Sequence, residues 1–170
     1  MRVVTWLLLF PATALAGAPI QQGSNLGLGV GGGSTASGLS AKYFIGSDFA
    51  VQGIVGPWNP LALDLLNEGN HVSNGALGFE LAMLLESQPF VNGSFADLAF
   101  NYGLGVGLVP TSGPEITLVP IGGFELNIET IPVDLVLEYR PPVWVYPDFR
   151  YDFVGFGAHL RVYPFPTPQR

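Results

Sequence analysis

The sequence predicts an all-β chain: an eight-stranded antiparallel up-and-down transmembrane β-barrel. Three observations carry that expectation. Apolar residues alternate with small or polar ones at a period of two, the strand period. Gly (23 residues) and Pro (15 residues) recur too often to leave room for helices. Charged residues make up 11% of the 170 residues while hydrophobic ones reach 48%, and roughly 25% charge is usual for a soluble domain.

The runs follow in chain order. Near the N-terminus Leu26, Leu28 and Val30 alternate with Gly27, Gly29 and Gly31. Two shorter runs, 38–45 and 49–56, carry Lys42 and Gln52 on their minor faces. From Ala76 to Leu85 the large residues Leu77, Phe79, Leu81, Met83 and Leu85 oppose Ala76, Gly78, Glu80, Ala82 and Leu84. From Asp97 to Val109, Leu98, Phe100, Tyr102, Leu104, Val106 and Leu108 oppose Asp97, Ala99, Asn101 and three glycines. Residues 116–128 set Ile116, Leu118, Phe124, Leu126 and Ile128 against Thr117, Gly123, Glu125 and Asn127. Residues 133–140 set Val133, Leu135, Leu137 and Tyr139 against Asp134, Val136, Glu138 and Arg140. The last run sets Val154, Phe156, Ala158, Leu160 and Val162 against Gly155, Gly157, His159 and Arg161.

In each run one face is bulky and apolar and the other is Gly, Ala or a charged residue. An outward face in water should be richly polar, and the minor face is too sparse for that. The reverse placement accounts for both faces: bulk toward lipid, small and charged residues toward a narrow lumen that eight strands leave just wide enough for side chains to fill. A secreted soluble β-sandwich is the rival that the same alternation allows. The expected connections are 46–48, 86–93 and 129–131 at the periplasmic end, and 31–37, 57–74, 109–113 and 141–152 opposite. Trp58, Trp144, Tyr146, Tyr151, Tyr43, Tyr163 and Phe165 fall near strand ends, the positions of aromatic girdles. Pro120 lies inside a run, where a bulge or kink is expected.

Residues 1–16 read as a signal peptide: Arg2, then an apolar stretch from Val3 to Phe10, then Ala14-Leu15-Ala16 as the cleavage site. Residues 17–24 form an N-terminal lead, 25–165 the barrel and 166–170 a C-terminal tail. No later window is long and apolar enough for a helical span, so any membrane crossing is made of strands. The lack of Cys excludes a disulfide scaffold, a zinc–thiolate or iron–sulfur site, a cysteine nucleophile and a cysteine-anchored lipid. Six Lys+Arg against thirteen Asp+Glu, net −7, cannot supply the basic stripe that nucleic acid requires.

The chain also resembles a family, the small eight-stranded outer-membrane β-barrel proteins. Gly38-Leu39-Ser40-Ala41-Lys42-Tyr43-Phe44 with Asp48-Phe49-Ala50-Val51 is similar to that family's GLSGKYW…AIDFG opening. Val119-Pro120-Ile121-Gly122-Gly123-Phe124-Glu125 is similar to RVPIGLEY, with Pro120 on the family's proline and Leu118 where the family has a basic residue. Ile131 to Pro141 is similar to PLELFLEVxP, and Gly155 to Tyr163 to the closing GIGIRYYF strand. The resemblance implies residence in a Gram-negative outer membrane. Gly157, Leu160 and Val162 are similar to the C-terminal signal read by the barrel-assembly machinery, here followed by a Pro-rich tail.

The expected interior set is Lys42, Glu80, Asp97, Glu125, Asp134, Glu138, Arg140, His159 and Arg161, a lumen charge network in which Asp134 meets Arg161, with Glu125 near them. An unpaired buried charge is very costly, so these groups must pair or meet water. The expected role is a structural or surface-interaction protein, not an enzyme: a monomer in contact with outer-membrane lipid, without cofactor, metal or nucleic acid. The alternatives are a narrow cation-preferring channel and a membrane-embedded lipid hydrolase. The hydrolase would use His71 and Ser73, whose His71-Val72-Ser73-Asn74 superficially resembles the His-x-Ser-Asn-Ala of lipid A deacylases but lacks an orienting acid. Gly27 to Gly32 formally matches G-x-G-x-x-G, yet a flexible loop follows in place of the helix a dinucleotide needs. Two His without Cys leave no metal site of ordinary spacing.

Overall fold

The computed structural model describes residues 25–58, 76–128 and 131–164. The alternating runs form eleven strands, eight of which close a barrel. In chain order the strands are β1 (Leu26–Gly32), β2 (Ser37–Phe44), β3 (Phe49–Pro57), β4 (Leu77–Glu86), β5 (Val91–Asn92), β6 (Ala96–Val109), β7 (Glu115–Ile128), β8 (Val133–Tyr139), β9 (Val143–Tyr146), β10 (Arg150–Tyr151) and β11 (Phe156–Val162). Each barrel strand pairs antiparallel with its neighbours in the order β1-β2-β3-β4-β6-β7-β8-β11, and β11 returns to β1 through Val30↔Leu160. One closed wall replaces the two facing sheets of a sandwich. Carried from strand to strand, the register returns to β1 displaced by about ten residues, the stagger that tilts the strands and sets the bore.

The period of two decides what lies inside. Leu81, Met83, Leu104, Val106, Phe124, Leu137 and Leu160 point outward and are exposed. Their neighbours Ala82, Leu84, Val119, Ile121 and Val136 point inward and are buried. Phe44, Ala50, Ala82, Leu84, Val119, Ile121 and Tyr163 make an apolar cluster within the bore, and charged side chains fill the rest.

Three expected connections are built differently. Residues 87–95 are not a plain turn: past Glu86 the β4–β6 hairpin continues as β5, with Val91↔Leu98, and closes where Gly93 N–H donates to Ala96 O at 3.2 Å. Residues 141–152 hold a hairpin of their own. Pro141-Pro142 interrupts β8, because neither supplies a ladder N–H. The strand-forming Val143-Trp144-Val145-Tyr146 then resumes pairing with β7 at Leu118↔Val143 and Thr117↔Trp144, and with β10 at Trp144↔Arg150. The 33–36 turn is no open loop; Ser34, Thr35 and Ala36 are buried across the barrel mouth.

Pro120 causes no bulge in the β6–β7 ladder, where Leu104↔Pro120 keeps the register of its neighbours. On its other edge β7 pairs with β9 up to Leu118 and with β8 from Gly122. Pro120 thus lies across from the Pro141-Pro142 break, where a missing N–H is tolerated. The one register shift in β7 falls at Ile116/Thr117, facing β9.

Of the aromatic residues expected at strand ends, Tyr43, Tyr146 and Tyr151 are exposed on the surface. Trp58 and Tyr163 are buried instead. Tyr163 continues the inward parity of His159 and Arg161, which fixes its direction. The signal-peptide residues, Phe165, and His71 and Ser73 lie outside the described residues.

Candidate functional site

The largest assembly of chemically capable side chains is the barrel interior. Lys42, Glu80, Asp97, Glu125, Asp134, Glu138, Arg140, His159 and Arg161 are all buried. Their positions follow from parity: each shares the inward face with the small residues of its own strand, and those small residues leave the space.

Eight of the nine fall into two tiers. Nearer the end that carries the 33–36 turn, Arg140 forms ion pairs with Glu80 and Glu138. His159 Nε2 lies 3.2 Å from Glu138 Oε2, and Asn101 Nδ2 donates to Glu138 Oε1 at 3.1 Å. Nearer the end where the chain enters, Arg161 Nε donates to both oxygens of Asp134 at 3.1 Å, and Tyr163 Oη donates to Asp134 Oδ2 at 2.6 Å. Glu125 is not part of that pair; it binds Lys42, which also lies 2.6 Å from Glu86. Lys42 sits over the Phe44 ring at 4.7 Å, a cation–π contact that supplements its two carboxylates. Gln52 joins the tiers: its Oε1 accepts from Arg161 Nη1 at 2.6 Å and its Nε2 donates to Glu138 Oε2 at 3.4 Å. Asp97 stands apart, with its Oδ1 accepting Gly93 N–H at 3.2 Å, so it caps the β5–β6 turn rather than joining the charge network.

Above the first tier the 33–36 turn closes the bore. Gly33 N–H donates to Ala36 O at 2.9 Å. Ser34 Oγ donates to the Arg140 carbonyl, and Thr35 Oγ1 lies 3.1 Å from Thr117 Oγ1. Only glycine fits beneath it at Gly31, where a Cβ would overlap the His159 ring.

Parity carries further than the expected charges. Ser40, Gln52, Glu86, Asn101 and Tyr163 also belong to the interior assembly; Ser40, Glu86 and Asn101 share the parity of an expected member on their own strand, Tyr163 continues that of β11, and Gln52 lies on the small-residue face of β3. Glu86 falls in the expected 86–93 connection, and Gln52, Ser40 and Asn101 are neutral, so a search for charge along the strands passes over them.

One set of contacts in the first tier has the connectivity of a catalytic site. Ser40 Oγ lies 3.0 Å from His159 Nδ1, whose other nitrogen faces Glu138. This is the connectivity of a nucleophile, base and orienting acid. All three side chains are buried within the bore. Lys42, Arg140 and Arg161 have 0% of their surface accessible, so side chains fill the bore at the level of both charged tiers. Among the described residues no group of three or more His, Asp or Glu is arranged to hold a metal ion. No family model, curated protein or solved structure matches the chain.

Proposed function

We propose that this chain is an outer-membrane β-barrel protein of structural or surface-interaction type, spanning the bilayer with its eight closed strands and plugged by its own side chains. One observation carries the reading. Among the described residues, the outward positions of the eight barrel strands hold no Asp, Glu, Lys, Arg or His, while Lys42, Glu80, Glu125, Asp134, Glu138, His159 and Arg161 all face inward from those strands. A barrel in water has the opposite distribution, since a buried charge is costly and a large exposed apolar patch drives association. In a bilayer the same distribution is favourable on both faces, and a closed barrel leaves no strand edge unpaired.

Aromatic residues support it at both ends of the wall. Phe124 packs edge-on against Phe90 and Phe100, with ring centroids 6.2 and 5.6 Å apart, near the chain-entry end. Tyr139 packs against Phe156 at 5.8 Å toward the other end. Such collars sit at membrane–water interfaces. The export-type leader and the closing strand fit passage to an outer membrane and insertion as a monomer by the barrel-assembly machinery. The 33–36 turn and the β9–β10 hairpin then face outward from the cell.

Membrane fractionation followed by electrophoresis of unboiled and boiled samples tests this reading. The expected result is a membrane-bound protein whose unboiled band migrates differently from the boiled one. A protein in the soluble fraction with no heat-dependent shift overturns it.

The cation-preferring channel is a second reading, favoured by the surplus of buried carboxylates: Glu80, Glu86, Asp97, Glu125, Asp134 and Glu138 against Lys42, Arg140 and Arg161. The filling of the bore by its own side chains weighs against it. Stable, ion-selective current steps from the purified protein in a planar bilayer would establish the channel. The hydrolase reading through His71 and Ser73 is tested by whether Ser73→Ala changes lipid A acylation.

A further inference from the structure

The β9–β10 hairpin stands beyond the barrel rim as an arm whose two faces differ sharply in chemistry. Its register fixes the faces. Thr117, Trp144 and Arg150 are partners across β7, β9 and β10, and Thr117 is buried toward the bore, so this is the inner face. Leu118, Val143 and Tyr151 are partners one residue along and form the outer face.

Charge is confined to the inner face and the tip. Arg150 donates to Glu115 Oε2 at 2.9 Å and lies 4.6 Å over the Trp144 ring. Asp152 Oδ1 is turned back to accept Val154 N–H at 2.8 Å, which leaves Asp148 at the tip. The outer side carries Tyr151 and Phe153, the latter 71% exposed, and Phe149 near the tip is 74% exposed. This surface is continuous with the barrel wall. Tyr139 packs against Phe156, its hydroxyl donates to Phe153 O at 2.5 Å, and Phe153 packs against Tyr151 with centroids 4.8 Å apart.

We propose that the arm is a lipid-binding element, its aromatic outer face lying in the headgroup and upper acyl region of the outer leaflet rather than standing free in water. The inference rests on the membrane reading above. Three features favour lipid as the occupant over a second protein. The aromatic column is an unbroken extension of the wall assigned to lipid. Aromatic side chains of this kind concentrate at the headgroup level. The charged groups have been drawn to the opposite face or to the tip, which suits an element with one side in lipid and one in water. Among the described residues of this end, the 33–36 turn between β1 and β2 folds inward while the arm carries apolar surface outward beside β7.

The chain has no Cys, so single cysteines carry a nitroxide label without background. Phe149→Cys, Tyr151→Cys and Phe153→Cys are reconstituted in phosphatidylcholine vesicles. Leu81→Cys serves as the reference on the wall, and Gly113→Cys, whose Cβ would meet nothing within 4 Å, as the reference on a turn at the same end. Only variants retaining the heat-dependent gel shift are read. Collision with molecular oxygen relative to a water-soluble nickel chelate is expected to be several-fold higher on the arm than at Gly113, approaching the value at Leu81. Arm labels as accessible to the nickel chelate as Gly113, with Leu81 still lipid-shielded, overturn the proposal and leave the barrel in the membrane. Arm labels shielded from both reagents and immobilised overturn it in favour of a protein partner. A nickel-accessible Leu81 removes the membrane reading and the arm proposal together.

Discussion

Arg161 and Asp134 stand directly opposite one another on β11 and β8, and the guanidinium Nε donates to both carboxylate oxygens at 3.1 Å. Both side chains have no accessible surface. Breaking one partner of such a pair leaves an uncompensated buried charge, a loss of about 3–5 kcal/mol. Asp134→Asn is therefore expected to destabilise the barrel by that amount in urea unfolding followed by the heat-modifiable band. A double Asp134→Leu, Arg161→Met variant is expected to recover most of it, because an apolar pair leaves no charge to solvate. A single variant as stable as the parent would refute the pair's role.

The wall is close-packed at its glycines, most severely at Gly29. A Cβ there would overlap the Leu160 carbonyl and Arg161 Cα on the adjacent strand, and backbone cannot step aside as a flexible side chain does. Gly29→Ala is expected to abolish the compact unboiled band. Gly46→Ala and Gly113→Ala, with nothing within 4 Å of the added methyl, are expected to leave it unchanged. If Gly29→Ala assembles normally, the β1–β11 register described here is incorrect.

Outward charge separates lipid from water as the surrounding medium. Leu81→Arg or Leu104→Arg places a guanidinium on the belt, at a cost of about 2–4 kcal/mol near the bilayer midplane. The same change on a surface in water is worth within about 0.5 kcal/mol. Equilibrium unfolding from vesicles distinguishes the two, and a neutral result at both positions contradicts a transmembrane wall.

The Arg150–Glu115 pair on the arm is only partly shielded, with side chains 35% and 18% accessible. Pairs of this kind contribute about 0–1 kcal/mol. Arg150→Ala is expected to leave barrel stability within that range while loosening the arm, read as faster motion of a label at Phe153→Cys. A loss as large as that of Asp134→Asn would mean that the arm is integral to the barrel's stability.

Side-chain parity was readable at the level of single residues because strands force neighbours to opposite faces. Glu80 against Leu81, and Glu138 against Leu137, need no knowledge of which strand lies beside which. The eight barrel strands and the inward direction of the nine charged residues follow from that rule alone. Pro141-Pro142 hid the β9–β10 hairpin, since two prolines read as a loop even when pairing resumes after them. Tyr163 was misread for a related reason: being close to a strand end suggested a surface collar, whereas its odd position, shared with His159 and Arg161, turned it inward to Asp134.

Parity orders each strand but says nothing about register between strands, which depends on closure and stagger of the whole wall. Sequence alone therefore supplied the all-β class, the eight barrel strands and nine of the inward charges. Tertiary structure decided the partners: Glu125 with Lys42 rather than with Arg161, Gln52 between the two tiers, Asp97 on a turn, and the 33–36 turn folded across the mouth. Apart from the local Gly93–Asp97 contact, those choices join residues far apart in the chain, and only a closed barrel with a fixed stagger brings them within hydrogen-bonding distance.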